Sequence, residues 1–95
     1  MFSIIIPTYN EAYKIAQTIS STHAANGKHE MEIIVVDGGS SDDTVEIARD
    51  AGATVLLSER KGRAAQMNTG VSAAKYPILY FVIPCVLRVF IVQSK

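Results

Sequence analysis

With 95 residues, 48% of them hydrophobic and 19% charged, the chain has the composition of one small packed domain and not of a disordered segment. A domain of this size buries only about 60 to 65% of the surface its unfolded form exposes, so marginal stability is expected. Nine Lys and Arg balance nine Asp and Glu, which excludes a global field able to draw in nucleic acid or an acidic membrane and leaves any anion to local groups.

The run from Met1 to Pro7 has no basic n-region and is too short for a secretory signal. It reads as a strand over Ser3 to Ile6, ended by Pro7. Thr8-Tyr9-Asn10-Glu11 then opens a helix with Asn10 as its N-cap, and Ile15 and Ile19, with Ala12 and Ala16, fall on one side. The exit loop runs from Ala24 to Lys28. Glu32 to Asp37 is a continuous apolar run of the kind covered on both faces in a parallel sheet.

Gly38 to Asp43 follows as a turn. Thr44 to Ala51 is a second amphipathic helix closed by Gly52, with Ser40 or Ser41 as cap and Asp42 and Asp43 complementing the helix dipole. Ala53 to Leu57 is a third strand. A basic turn, Arg60-Lys61-Gly62-Arg63, leads into a third helix over Arg63 to Ala74, in which Gly70 marks close packing. Tyr76-Pro77 ends that helix, and Ile78 to Ile83 forms a fourth strand before Pro84. The apolar stretch from Ile78 to Val92, broken by Pro84 and Arg88, falls short of the ~20 residues of a spanning helix and reads as buried or partner-seeking strand. Strands alternating with helices imply right-handed β-α-β units, hence an α/β, Rossmann-like parallel sheet of about four strands with helices on both faces.

In such a sheet, ligands bind beyond the carboxyl ends of the strands, and both polar clusters of this chain fall there. Tyr9 offers a flat ring for a nucleobase, and Thr8 and Glu11 short polar contacts to base or ribose. A strand-to-helix turn uses the same residues. Asp37, at the tip of a buried strand, is an acceptor for a base N–H or a ribose hydroxyl, and Gly38 and Gly39 admit a ligand close to the backbone, while the neighbouring serines serve the turn itself. The basic turn suits a diphosphate, although a solvated loop has the same composition. Gln66 and Asn68 face either the ligand or water.

Several classes are disfavoured. The chain carries neither a Walker A loop nor the G-x-G-x-x-G fingerprint of dinucleotide binders. His23 and His29 lack partners at metal spacing, and no Ser-His-acid arrangement can be built. The single Cys85 excludes an internal disulfide and fits a reducing, cytoplasmic setting.

Three stretches in order and register, Ile4 to Glu11, Ile33 to Thr44 and Gly62 to Gly70, resemble the opening motifs of family 2 glycosyltransferases of the GT-A type, and the likeness covers about Phe2 to Val82. It implies a domain, residues 1–82, that holds a UDP- or GDP-linked sugar donor for direct in-line transfer to an acceptor, with Tyr9 near the base, Asp37 on base or ribose, and Arg63 with its basic neighbours near the nucleotide. The nucleotide-binding set so implied is Pro7, Thr8, Tyr9, Glu11, Asp37, Gly38, Gly39, Arg60, Arg63 and Asn68. Many members carry two acids at the end of strand two, whereas here Gly38 follows Asp37.

The family also places a metal-binding D-x-D motif, for Mg²⁺ or Mn²⁺, at the end of strand four. Here that place reads Val82-Ile83-Pro84-Cys85-Val86-Leu87, without a carboxylate. The resemblance therefore implies a chain cut short or altered before its metal-binding acids, retaining nucleotide binding with no catalytic residue and no bound metal. Residues 83–95 are an atypical apolar tail that favours a homo-oligomer. The alternative is a non-catalytic nucleotide-binding or oligomer-forming module.

Overall fold

The computed structural model describes residues 2–26, 31–58, 60, 62–76, 78–83 and 88–93, with side chains placed for 3–24, 31–58, 60 and 62–76. His29, Lys61, Pro77 and residues 84–87, all singled out above, lie outside the described residues.

Eight elements follow one another: β1 (Phe2–Thr8), α1 (Ile15–Asn26), β2 (Met31–Asp37), α2 (Thr44–Asp50), β3 (Thr54–Leu57), α3 (Arg63–Ala73), β4 (Ile78–Ile83) and β5 (Arg88–Gln93). They build one five-stranded sheet in the order β3-β2-β1-β4-β5. The first four strands are mutually parallel, as the alternating pattern requires. β5 returns antiparallel along β4, from Ile83 opposite Arg88 to Ile78 opposite Gln93. Part of the apolar tail is thus a fifth strand on the chain's own sheet.

Period-two alternation assigns each strand residue to a face. Ile4, Ile6, Ile33 and Val35 meet Ile15 and Ile19 of α1, Ala48 of α2 and Ala53 on one side. Ile5, Ile34 and Val36 meet Met67 of α3 and Ala74 on the other. Helices therefore cover both faces, which is why β2 reads as one unbroken apolar run. Each fully buried Ile or Val contributes about 1.5–3 kcal/mol over leaving it exposed. Ala16, expected on the buried stripe, is exposed, because α1 turns only its Ile15, Thr18, Ile19 and Thr22 face to the sheet.

Two local details differ from the sequence reading. Pro7 continues β1 instead of ending it, pairing opposite Val36 of β2. The β1–β4 pairing covers only Ser3 to Ile5, so Pro7 lies beyond it, at a position that behaves as an edge and tolerates the missing N–H. The turn at Glu11 precedes α1, whose first helical residue is Ile15, later than the motif suggested. Gly70 is as tight as expected: a Cβ built there would collide with Ile5 and meet Val36 Cγ2 at 3.2 Å. Its absence lets α3 lie close against β1 and β2. No helix among the described residues is long and apolar enough to cross a membrane.

Candidate functional site

The carboxyl ends of β1 and β2 release two loops, residues 9–14 and 38–43, and these loops are zipped together by their own polar side chains. Asn10 adopts a left-handed conformation, φ 50°, a state that Asn tolerates better than most residues. Its N–H donates to Ser40 Oγ at 2.8 Å, and its Oδ1 accepts the Ser41 N–H at 2.8 Å. Asn10 is therefore a bridge to the second loop, not the N-cap of α1. Glu11 N–H donates to Thr44 Oγ1 at 2.9 Å, whose hydroxyl is passed on to Asp42 Oδ1, and Ala12 N–H reaches Asp42 Oδ2 at 3.2 Å.

Asp42 also accepts the Thr44 N–H at 3.0 Å at the start of α2, while Asp43, the N-cap by position, makes no capping bond. Neither Ser40 nor Ser41 caps α2, because both are turned toward the first loop and Asp37. The Thr44 hydroxyl holds the exposed Asp42 carboxyl below its ordinary value; a slight loss of hydration opposes this, and the backbone N–H groups of Thr44 and Ala12 add to it.

Asp37 is 1% exposed, and its four lone-pair directions are all used within the fold. Oδ2 accepts the N–H groups of Gly39 at 2.9 Å and Ser40 at 2.7 Å. Oδ1 accepts the hydroxyls of Ser40 and, at 3.3 Å, Thr8. Gly39, at φ 100°, serves this turn through its conformation, since nothing would obstruct a Cβ there.

Glu11 is 4% exposed. Its Oε1 accepts the Tyr9 N–H at 3.1 Å, and its Oε2 is the one sealed side-chain polar atom without a partner among the described residues. That oxygen carries the cost of a buried acceptor left unpaired.

Over this framework opens a cleft of about 270 Å³ lined by Tyr9, Gly38, Gly62, Arg63 and Gln66. The structure thus gathers Tyr9, Gly38 and Arg63 from the expected set around one space. Pro7, Thr8, Glu11 and Asp37 form the buried support beneath it, and Gly39 stands on the exposed turn. Arg60 and Asn68 line an adjoining groove of about 790 Å³, with Ser58, Leu57 and Thr69, which Arg63 also borders. Neither Arg60 nor Arg63 has a carboxylate partner among the described residues.

Gln66 is the residue whose importance the sequence did not disclose. It is 5% exposed, and its Nε2 donates to two strand-end carbonyls, Thr8 O at 2.7 Å and Val36 O at 2.9 Å. It locks α3 to the tips of β1 and β2. The amide lies over Gly38, where a Cβ would sit 3.1 Å from Nε2 and 3.2 Å from Cδ. Gly38, read as room for a ligand, is in the first place room for Gln66. No one-dimensional signal links positions 28 residues apart on different elements.

A divalent cation of the kind the resemblance implies requires hard oxygen donors. Among the described residues no group of three or more His, Cys, Asp or Glu side chains could hold one, and the sequence from Val82 to Leu87 supplies no carboxylate. The Val82 to Leu87 stretch thus lacks the hard oxygen donors that the resemblance places there.

An open, mainly parallel sheet covered on both faces, with a cleft past the ends of β1 and β2, defines a Rossmann-like α/β domain of the GT-A kind. The model of glycosyl transferase family 2 matches residues 3–82, and the chain belongs to that family. Glycosyltransferase AglE of Haloferax volcanii is 37% identical over 86 residues, which cover 83% of this chain and 28% of that protein. Undecaprenyl-phosphate 4-deoxy-4-formamido-L-arabinose transferase of Pseudomonas savastanoi pv. phaseolicola is 34% identical over 82 residues, 77% of this chain and 24% of its own length.

Glucosyl-3-phosphoglycerate synthase from Mycobacterium tuberculosis, solved with Mn²⁺, UDP and glucosyl-3-phosphoglycerate, superposes with a TM-score of 0.79 at 28% identity over 88% of this chain and 33% of that one. Mannosyl-3-phosphoglycerate synthase from Rubrobacter xylanophilus shares the fold, with a TM-score of 0.79 at 23% identity over 88% of this chain and 30% of that one. The chain therefore spans about a quarter of the length of the curated relatives and about a third of the solved ones.

Proposed function

We propose that the cleft past β1 and β2 binds the nucleoside diphosphate of a UDP- or GDP-linked sugar donor, the donor side of a glycosyl transfer reaction. The observation that carries this reading is the convergence of a half-exposed Tyr9 ring, the Gln66 amide and the unpaired Arg63 guanidinium around one cleft of about 270 Å³, on loops whose polar groups are already bonded to one another. Such loops hold their shape before the ligand arrives, which lowers the ordering cost of binding. Tyr9 stacks on the base, Glu11 holds the Tyr9 N–H from beneath, and Arg63, with Arg60 and Asn68 beside it, faces the diphosphate. Thr8 and Asp37, with Pro7, Gly38 and Gly39, set the loop positions.

The solved relative from Mycobacterium tuberculosis that carries UDP and Mn²⁺ supports the nucleotide. The donor set at the end of β4 argues that this chain binds the nucleotide with its own cations and no metal bridge. Calorimetry with UDP and GDP, with and without Mn²⁺, tests both points. Saturable binding that Mn²⁺ changes by less than about twofold is expected, and absence of binding in either condition refutes the reading.

A second reading, of a chain that also assembles with itself, is favoured by the place of β5 at the free edge of the sheet. Edge strands offer unpaired backbone groups to a second copy. Light scattering at tens of micromolar should show a dimer or larger species, and a monomer would refute it. A cytoplasmic location, with Cys85 reduced and no nucleic-acid or membrane partner, belongs to the same proposal.

A further inference from the structure

The Gln66 side chain has one acceptor and two amide hydrogens, and both hydrogens are committed. They point at Thr8 O and Val36 O, carbonyls at the ends of adjacent parallel strands. The amide cannot flip without setting its own oxygen against two carbonyl oxygens, so its orientation is decided by the network. No described group donates to Oε1. That oxygen is not sealed either, since Glu11 Oε2 is the sole sealed and unpartnered side-chain atom among the described residues. Gln66 lines the cleft with Tyr9. The cleft is thereby presented with one amide oxygen of fixed direction, and no other side chain among its lining residues carries a carboxylate or amide oxygen.

From this we infer that Gln66 Oε1 is the base-reading group of the site and that it selects the uracil imide, Gly38 being the residue that gives it room. The inference rests on the nucleotide-binding reading above and adds the reader and the base. A lone fixed acceptor matches an edge with one N–H to place. Uracil has a single donor, N3–H, and its flanking carbonyls can be met by water at the open side of the cleft. Cytosine and adenine set an unprotonated ring nitrogen beside the acceptor, and guanine brings adjacent N1–H and N2–H₂ donors of which one acceptor serves only part. A base donor left dry in a cleft costs more than the bond it fails to make.

The test uses the full chain and four probes: UDP, CDP, GDP and 3-methyluridine 5′-diphosphate, whose methyl group replaces the hydrogen at issue. UDP should bind about tenfold more tightly than each of the others, equivalent to about 1.4 kcal/mol. Gln66→Met removes the reader but also takes the amide donor away from Val36 O and from Thr8 O, which keeps only the Gly38 N–H at 2.9 Å, so that variant can fail by unfolding. Gly38→Ala is the cleaner change: its backbone lies outside the left-handed region, and the new Cβ presses only on the Gln66 amide at 3.1–3.2 Å.

In Gly38→Ala the preference for UDP over CDP should fall to within about threefold, while thermal unfolding confirms the fold. Equal affinity of all four probes, a preference for CDP or GDP, tolerance of 3-methylation, or an unaltered preference in Gly38→Ala would overturn the inference and leave nucleotide binding standing. Failure of every nucleotide to bind would overturn both.

Discussion

Asp37 offers a clean separation between holding a loop and holding a ligand. In Asp37→Ala, the N–H groups of Gly39 and Ser40 and the hydroxyls of Thr8 and Ser40 lose their shared acceptor. Hydrogen bonds to a charged group contribute about 1.5–3 kcal/mol each. The exposed Gly39 and half-buried Ser40 can turn to water, whereas Thr8, 1% exposed, cannot, so the expected loss is about 2–4 kcal/mol in total. At about 0.05–0.15 kcal/mol per residue, 95 residues give a total stability of roughly 5–14 kcal/mol. The loss is then a large fraction of the whole.

Asp37→Asn can keep one oxygen under the two backbone N–H groups and offer its amide to the two hydroxyls, which rotate to accept. It should cost only about 1–2 kcal/mol, the charge assistance. With a urea slope of about 1 kcal/mol/M, the midpoint should fall by roughly 2–4 M in the Ala variant and 1–2 M in the Asn variant. Circular dichroism reads the midpoint, and calorimetry with UDP on the folded Asn variant should find affinity within about threefold of the parent chain. The reasoning is refuted if Asp37→Ala unfolds within about 0.5 M urea of the parent while its nucleotide affinity is abolished, for then the carboxylate serves the ligand.

Other perturbations bear on separate parts of the structure. Gly70→Ala gains helix propensity but drives a methyl group into Ile5, and a net loss of about 1–3 kcal/mol by urea unfolding is expected. Tyr9, 53% exposed, is free of packing duties, so Tyr9→Ala should leave the unfolding midpoint nearly unchanged and weaken UDP binding about tenfold, with Tyr9→Phe close to the parent. Asp42 titrates below its ordinary value of 3.8 in the folded chain, so its contribution is complete above about pH 4 and is lost as pH falls through the lower folded value. Melting temperatures of the parent and Asp42→Asn, measured from pH 6 to pH 3, should therefore converge toward the acid end; a constant gap would refute the assignment.

Patterns that local physics settles were legible: β2 as an unbroken apolar run because both its faces are covered, and Gly70 as a close approach because nothing else explains a glycine inside a helix. The extent of β1 was misjudged at Pro7 because the rule that bars proline from a central strand depends on where the neighbouring strand stops, and β4 pairs only as far as Ile5. Asn10, Ser40 and Ser41 were misjudged for a related reason. Asn and Ser bond whichever backbone N–H stands nearest, and in the folded chain the nearest ones belong to the opposite loop, about 30 positions away.

This exchange also explains why the Thr8-Tyr9-Asn10-Glu11 and Asp37-to-Thr44 motifs occur as a pair. Most of their polar atoms recognise each other, and a change in one motif leaves groups of the other without partners. The atoms left to face a ligand are then few: the Tyr9 ring, the Arg63 guanidinium and the single free oxygen of Gln66. Two of the three come from α3, the least conspicuous of the three motifs, because a helix N-terminus that leans over two strand ends reaches the cleft while the Gln66 amide hydrogens alone tie it to the strand ends beneath.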